Sequence, residues 1–288
     1  NLFMNYSNQK KGTILAFTGI MFITPDSLFI RLANVESWNL IFYRGFIPFI
    51  VVFIGLLIIY KTKLINELIN NGWHGFAYAC VFTITNIVFV ISIENTNVAN
   101  TLIMIALAPM LSAIISFIFL KENPDQKTWV AIIITTLSVI YIFYDALDAG
   151  DFLGNFLGLV CATGLAVGAV IIRSAKKISL VPSAMLGKLM VALIALFFAN
   201  QLKLEGYDLT IIPLMCIMCV AIPFVLITLA PRYITAAEVN LFFLLETILG
   251  PIWVWMVIHE QPSIETIMGG IVIIVTIGIH SILTLKKT

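Results

Sequence analysis

Long apolar runs dominate the chain, and short polar segments separate them. A helix of about 20 residues crosses the hydrocarbon core of a bilayer, and these runs reach or approach that length. The runs are continuous rather than alternating, which favours helices over the strands of a membrane barrel. We therefore predict ten transmembrane helices, at residues 13–33, 38–60, 73–93, 97–120, 127–147, 152–173, 182–200, 209–230, 235–258 and 264–285.

Composition supports this pattern and excludes several classes of protein. Of the 288 residues, 61% are hydrophobic and 11% are charged, whereas soluble domains carry about 25% charged residues. The fold class is therefore predicted to be an all-α polytopic membrane protein whose surroundings are the lipid bilayer. A net charge of +1 gives no support for nucleic-acid binding. The four cysteines all lie within apolar runs, where packing is their expected role, so no metal and no cofactor is expected.

The distribution of Lys and Arg predicts the orientation of the chain. With a cytoplasmic N-terminus, the inner segments hold most of the 16 basic residues, and the outer segments hold only Arg31 and Lys203. Both termini are therefore predicted to be cytoplasmic. We expect the protein in the cell membrane, specifically a bacterial inner membrane.

The two halves of the chain resemble each other. Matching positions recur at an offset of 142 residues: Gly12 with Gly154, Arg31 with Arg173, and Gly45 with Gly187. We expect a first repeat at residues 1–150 and a second at residues 151–288. Each repeat holds five predicted spans, and because five is odd, the second repeat enters the membrane with opposite polarity. Such inverted-topology repeats are typical of secondary transporters that bind substrate near the midplane.

The ninth predicted helix carries a carboxylate, Glu246, near its centre. A charge at that depth costs about 2.5–3.5 kcal/mol on insertion, so something must compensate it. Residues three, four or seven positions away share its helical face: Phe242, Phe243, Gly250 and Trp253. A carboxylate among aromatic rings suits a cationic substrate. The alternative is a structural charge paired with an Arg or Lys of another helix.

The surroundings of Glu246 also predict proton coupling. An apolar site disfavours the ionised form of a carboxyl, so a proton and a cationic substrate would compete for it. Trp255 lies on the opposite side of this helix and is expected to meet lipid. Asn240 is expected to face away from Glu246.

Four further polar residues within predicted spans bear on the site. Asp26 and Arg44 either pair with each other in the outer part of the membrane or contact substrate, and both alternatives stay open. Arg44 could bind a substrate carboxylate or phosphate. Asn86 is a substrate-site candidate, although such amides often bond neighbouring helices. Lys188 is expected to extend towards the cytoplasmic surface.

Several short motifs resemble the drug/metabolite transporter superfamily, in its EamA-like branch. The segments that carry the resemblance are Leu245-Glu246 through His259-Glu260, Met268-Gly269-Gly270, Ala108-Pro109 and Lys121-Glu122. The chain departs from the family pattern at Thr247, where the family usually has Pro, and at His259, where it usually has Gly. The resemblance implies a substrate cavity between the two halves. It implies small substrates such as amino acids, amines and nucleotide-linked metabolites.

The function predicted from the sequence is secondary active transport of a small polar metabolite by alternating access. An amino acid, an amine or another organic cation is favoured, with proton coupling through Glu246. The alternative is a transporter or exchanger of an anionic or nucleotide-like metabolite that uses Arg44. A channel or an intramembrane enzyme is disfavoured, because the sequence shows no filter-like motif and no catalytic signature. A glycine stripe around Gly154 and Gly158 is expected to serve internal packing, and monomer and homodimer both stay open.

Overall fold

The computed structural model describes residues 2–96, 98–142, 152–259 and 264–285, and within these ranges it is helical without strands. The helices are α1 Leu2–Ile23, α2 Asp26–Leu32, α3 Ser37–Tyr60, α4 Leu64–Asn70, α5 Gly72–Asn95, α6 Val98–Ile105, α7 Ala108–Leu120, α8 Gln126–Ile142, α9 Phe152–Ser174, α10 Val181–Phe198, α11 Asp208–Met215, α12 Ile222–Leu229, α13 Ala236–Ile258 and α14 Ile264–Leu285. Two 3₁₀ turns, Lys61–Lys63 and Ala230–Arg232, and one π-helical segment, Cys216–Ala221, complete the secondary structure of these ranges.

Long apolar helices make the protein a multi-pass membrane protein, as predicted. Seven segments of the described residues are long and apolar enough to cross a bilayer: Asn8–Leu32, Ser37–Asn70, Gly72–Asn95, Phe152–Ser174, Val181–Phe198, Asp208–Arg232 and Ala236–Ile258. Two shorter apolar helices, Ala108–Leu120 and Ile267–His280, lie beside them. The all-helical fold class is therefore confirmed, and the number of ten spans stays a prediction.

Three of the predicted continuous helices are interrupted, each close to a proline. The first breaks at Thr24 and Pro25, between α1 and α2. The fourth breaks before Pro109, which lies in the first turn of α7, and the eighth changes to a π-helical segment before Pro223. Proline lacks an amide hydrogen and its ring clashes with the preceding turn, so it favours these breaks. The break at Pro25 makes Asp26 the first residue of α2.

Helix α13 begins at a capping box that fixes its register. The backbone nitrogen of Thr235 donates to Glu238 Oε2 at 2.8 Å, and the nitrogen of Glu238 donates to Thr235 Oγ1 at 3.2 Å. These bonds satisfy amide groups that the first turn of a helix leaves free. About three turns further on lies Glu246, so the cap determines where this carboxyl sits along the helix.

Helix contacts occur in related pairs across the two halves of the chain. Helix α5 packs along α9, and α12 packs along α1. Helix α10 contacts α5, as α3 contacts the π-helical segment. Helix α3 also crosses α10, and α8 lies against α14. Helices from both halves therefore surround a shared interior.

Glycines allow the closest of these crossings. A Cβ atom at Gly45 would lie 2.6 Å from the backbone nitrogen of Ala192 and 2.8 Å from the carbonyl oxygen of Lys188. At Gly158, a Cβ atom would lie 3.0 Å from Cβ of Met104, in α6. The glycine stripe of α9 thus serves internal packing, as the sequence predicted.

Two glycines of α3 provide a matched test of this packing. We expect Gly45→Ala to lower the melting temperature in detergent, because overpacking typically costs about 1–3 kcal/mol and the atoms it meets belong to the backbone. We expect Gly55→Ala to leave it unchanged or raise it, since no atom of another described element lies within 4 Å of a Cβ atom there and helical Gly→Ala gains about 0.5–1 kcal/mol. Equal effects of the two changes would contradict the close crossing at Gly45.

Candidate functional site

A cavity of about 140 Å³ lies in the interior where helices of both halves meet. This volume is well above the roughly 10–15 Å³ that a single water needs. Its walls are largely apolar and aromatic, which is typical of sites for small molecules. The charged and amide side chains that line it are Asp26, Arg44, Asn86, Lys188, Asn240 and Glu246.

Asp26 and Arg44 form a buried, bidentate ion pair. Arg44 Nη1 donates to Asp26 Oδ1 at 2.6 Å, and Arg44 Nη2 donates to Asp26 Oδ2 at 2.7 Å. The ring of Phe89 lies 5.8 Å from Arg44 Cζ. Of the two alternatives left open by the sequence, the structure has the charge pair. Each side chain compensates the other, so neither brings a net charge to the cavity.

Lys188 lies in the interior rather than at the membrane surface. Its side chain is fully buried, and Nζ donates a hydrogen bond to Asn86 Oδ1. The rings of Phe82 and Phe224 lie 5.2 and 5.9 Å from Nζ. The prediction that Lys188 extends to the cytoplasmic surface is wrong. The reason is that α10 packs against α5 around this position, so the lysine faces other helices instead of the headgroups.

Asn86 uses both ends of its amide to position Lys188. While Oδ1 accepts the lysine bond, Nδ2 donates to the carbonyl oxygen of Phe82 at 2.7 Å. The second bond fixes the orientation of the amide, so that its oxygen points at the ammonium group. Asn86 therefore bridges α5 and α10, which is the helix-bonding alternative considered from the sequence.

Glu246 lines the cavity, and among the described residues one of its carboxyl oxygens has no hydrogen-bond partner. The residue is 2% exposed, and no donor among the described residues bonds to its Oε1 atom. Nor does any Lys or Arg of the described ranges lie within 4.0 Å of it. The structural alternative, in which Glu246 is half of an ion pair, therefore has no support in this part of the chain.

Asn240 lines the same cavity, about one and two-thirds turns before Glu246 on α13. Within residues 2–96, 98–142, 152–259 and 264–285, its Nδ2 atom finds no acceptor. Because Asn240 was expected to face away from Glu246, sequence reasoning left it out of the site, and this exclusion is wrong. Because α13 is buried on nearly all sides over residues 236–248, the cavity reaches more than one of its faces.

The aromatic residues expected beside Glu246 are distributed differently. Phe243 lines the cavity, whereas Phe242 packs in an apolar cluster and is absent from its wall. Trp253 Nε1 donates to Thr24 Oγ1 at 3.0 Å, so its indole holds α13 against the break between α1 and α2. A Cβ atom at Gly250 would lie 3.2 Å from Ser27 Oγ, and this glycine leaves room for α2 rather than for a substrate. Trp255 is 43% exposed, as expected of a residue that meets lipid.

Among the charged and amide side chains that line the cavity, Lys188 and Asn240 are the two that sequence reasoning missed. One signal for Lys188 was available. Arg44 precedes Gly45, and Lys188 follows Gly187, so a charge flanks each of two matched glycines. For Asn240 the sequence offered no comparable signal, because helical spacing placed it off the face of Glu246.

A double-mutant cycle tests the Asp26–Arg44 pair. We expect Asp26→Asn and Arg44→Gln each to destabilise the protein by about 3–5 kcal/mol, because each leaves a buried charge without its partner. The double variant should recover much of this loss. Chemical or thermal unfolding in detergent gives the three values.

The exposed pair Lys203–Glu205 provides the control for this cycle. Its side chains are 74% and 70% exposed, so its coupling should be about 0–1 kcal/mol. A coupling of the same small size for Asp26 and Arg44 would show that their ion pair does not form in the membrane protein.

Comparison with known proteins agrees with the helical membrane fold. A family description, the EamA-like transporter family, matches the chain twice, at residues 10–144 and 150–282. A crystal structure of a protein superposes with a TM-score of 0.76 at 14% identity, covering 96% of this chain and 98% of that chain. At that identity the likeness shows the fold alone. No curated protein matches the chain. Because the two family matches together span nearly all of its residues, the chain belongs to the EamA-like transporter family of the drug/metabolite transporters.

Proposed function

We propose that the protein is a secondary active transporter that moves a small polar metabolite with a cationic group by alternating access. Membership of a transporter family supports transport and agrees with the expectation that the chain is not an enzyme. The observation that carries the choice of cargo is the carboxyl of Glu246, which faces a buried cavity and has no donor at Oε1 in the described part of the chain. A cationic group of the substrate would compensate it.

We further propose ten membrane spans in two inverted repeats, at residues 1–150 and 151–288. The paired helix contacts support this arrangement, since α5 with α9 corresponds to α12 with α1. The cavity draws Asp26, Arg44 and Asn86 from the first repeat and Lys188, Asn240 and Glu246 from the second. A site shared between repeats is the arrangement on which rocking of one repeat against the other can act.

The proposed orientation places both termini in the cytoplasm of a bacterial cell. The bias of Lys and Arg towards the inner segments supports this orientation. On the proposed inner side, Arg173 Nε donates to Glu122 Oε1 at 2.9 Å, which joins the two halves. On the outer side, Tyr43 Oη donates to the carbonyl oxygen of Leu202 at 2.9 Å.

Proton coupling follows from the same carboxyl. We propose that Glu246 holds a proton while the cavity is empty, because a largely apolar wall disfavours the ionised form of a carboxyl. An arriving ammonium group stabilises the ionised form and displaces that proton. Proton and substrate then occupy one group in turn, which is sufficient for coupled exchange.

The anionic alternative has less support around Arg44. Both of its terminal nitrogens donate to Asp26, at 2.6 and 2.7 Å. A substrate phosphate or carboxylate would have to displace a buried carboxylate from this bidentate pair. A cargo bound by Arg44 alone is therefore disfavoured.

Labelling of single cysteines tests the proposed orientation. We expect Lys63→Cys and Lys176→Cys to react with a membrane-impermeant reagent only from the cytoplasmic side, and Lys203→Cys only from the outside. All three positions are exposed, so the reagent can reach a cysteine placed there. Reaction of Lys63→Cys and Lys203→Cys from the same side would overturn the inverted arrangement.

Substitution of Glu246 tests the transport mechanism. We expect Glu246→Gln to reduce pH-gradient-driven uptake in proteoliposomes to the level of empty liposomes, because the amide can neither release a proton nor compensate a cation. Radiolabelled amino acids and amines serve as the substrate panel.

The control for this assay is Glu205→Gln, since Glu205 is an exposed acid outside the cavity. This variant should transport like the wild type. Normal transport by Glu246→Gln from about pH 5.5 to about pH 8 would contradict the proposed role of the carboxyl.

A further inference from the structure

We propose that Lys188 is the anion-binding group of the cavity and takes the carboxylate of a zwitterionic, amino-acid-like substrate whose ammonium group goes to Glu246. This inference rests on the proposed function and narrows it. A plain amine would satisfy only one of the two groups. Lys188 then determines specificity, because it distinguishes an amino acid from the corresponding amine.

The surroundings of Lys188 leave it able to bind an anion. An ammonium group has three donors, and Asn86 accepts one of them. The rings of Phe82 and Phe224 stabilise the cation by their π faces, but they bring no negative charge. In the part of the chain that the structure describes, no carboxylate lies within 4.0 Å of its Nζ atom. Lys188 is thus a fully buried cation that lines the cavity, and no carboxylate of the described residues is close enough to form an ion pair with it.

The charges of the cavity specify a ligand with both signs. Asp26 and Arg44 compensate each other, which leaves Lys188 on α10 and Glu246 on α13. A cationic ligand would leave the lysine without a counter-charge, and an anionic ligand would bring no cation to take the place of the proton on Glu246. A buried charge without a counter-charge costs free energy. A zwitterion compensates both groups and adds no net charge to the interior.

The remaining walls fit the rest of such a ligand. Asn240 offers an amide donor, Nδ2, that has no acceptor among the described residues. This donor can bond a second carboxylate oxygen. Phe243, Phe224 and Ile227 contribute apolar surface to the cavity, which suits a neutral, apolar side chain.

Two matched sets of compounds test the proposal on the purified, full-length chain. One set is leucine, 3-methylbutylamine and 4-methylpentanoate; the other is phenylalanine, 2-phenylethylamine and 3-phenylpropionate. Each set holds the side chain constant and removes the carboxylate or the amino group. Ligands that bind the folded state raise the melting temperature, and a titration of this shift gives an apparent Kd.

For the wild type we expect an amino acid of at least one set to bind about tenfold or more tightly than its amine, which corresponds to about 1.4 kcal/mol. In Lys188→Met this preference should disappear, because the neutral amide of Asn240 alone does not compensate a buried carboxylate. Lys188→Arg, which retains the cation, should keep a preference for the amino acid. The control Lys203→Met, at an exposed lysine outside the cavity, should bind like the wild type.

Stability of the empty protein separates this role from a structural one. Lys188→Met removes a buried charge, so its melting temperature without ligand should equal or exceed that of the wild type. If Lys188→Met cannot be purified, the proposal is tested by comparing the apparent Kd of the amino acid with that of its amine, for the wild type and for Lys188→Arg.

The inference is overturned if the wild type binds the amines as tightly as the amino acids, or if Lys188→Met retains the preference. It is also overturned if no compound of either set shifts the melting temperature. These outcomes leave the broader transport proposal standing as long as Glu246→Gln abolishes uptake of another substrate from the panel. If Lys188→Met loses the preference for the amino acid while Glu246→Gln transports normally, the anion site at Lys188 stands and the proposed proton coupling is contradicted.

Discussion

The cost of a charge inside an apolar helix bundle determines how the centre of this protein is arranged. Asp26 meets that cost through a bidentate pair with Arg44. Lys188 meets it in part, through Asn86 and two aromatic rings. For Glu246, the described residues supply no donor to one carboxyl oxygen. We therefore propose that the bound substrate completes the balance of charge in the cavity.

The architecture delivers these groups to one place by ordinary local features. A proline break makes Asp26 the first residue of α2, where it reaches Arg44 on α3. The cap at Thr235 sets the register of α13 and hence the position of Glu246. The close crossing at Gly45 brings α3 against the backbone of α10, beside Lys188. Backbone features outside the cavity wall thus position the side chains that line it.

The sequence predicted the helical fold, the repeat and several of the polar residues that line the cavity. The length of the apolar runs, and the charged residues within them, can be recognised from the sequence without knowledge of the packing. The predictions failed for side chains whose contacts depend on the position of a neighbouring helix. Helical spacing placed Trp253 on the same face as Glu246, but its indole nitrogen donates a hydrogen bond to Thr24 at the break between α1 and α2. Spacing also set Asn240 aside, although α13 is surrounded on nearly all sides. Lys188 was misplaced because a lysine can extend to the surface or remain inside, and only packing distinguishes the two.

The most direct test of this account measures the protonation of Glu246 itself. Infrared difference spectra of the purified wild type, with and without a saturating mixture of neutral α-amino acids, report the carbonyl stretch of a protonated carboxyl group. We predict that the ligands remove this band in the wild type and that Glu246→Gln shows no such change. An identical difference spectrum for both proteins, or no change in the wild type, would contradict the claim that the substrate completes the charge balance at Glu246.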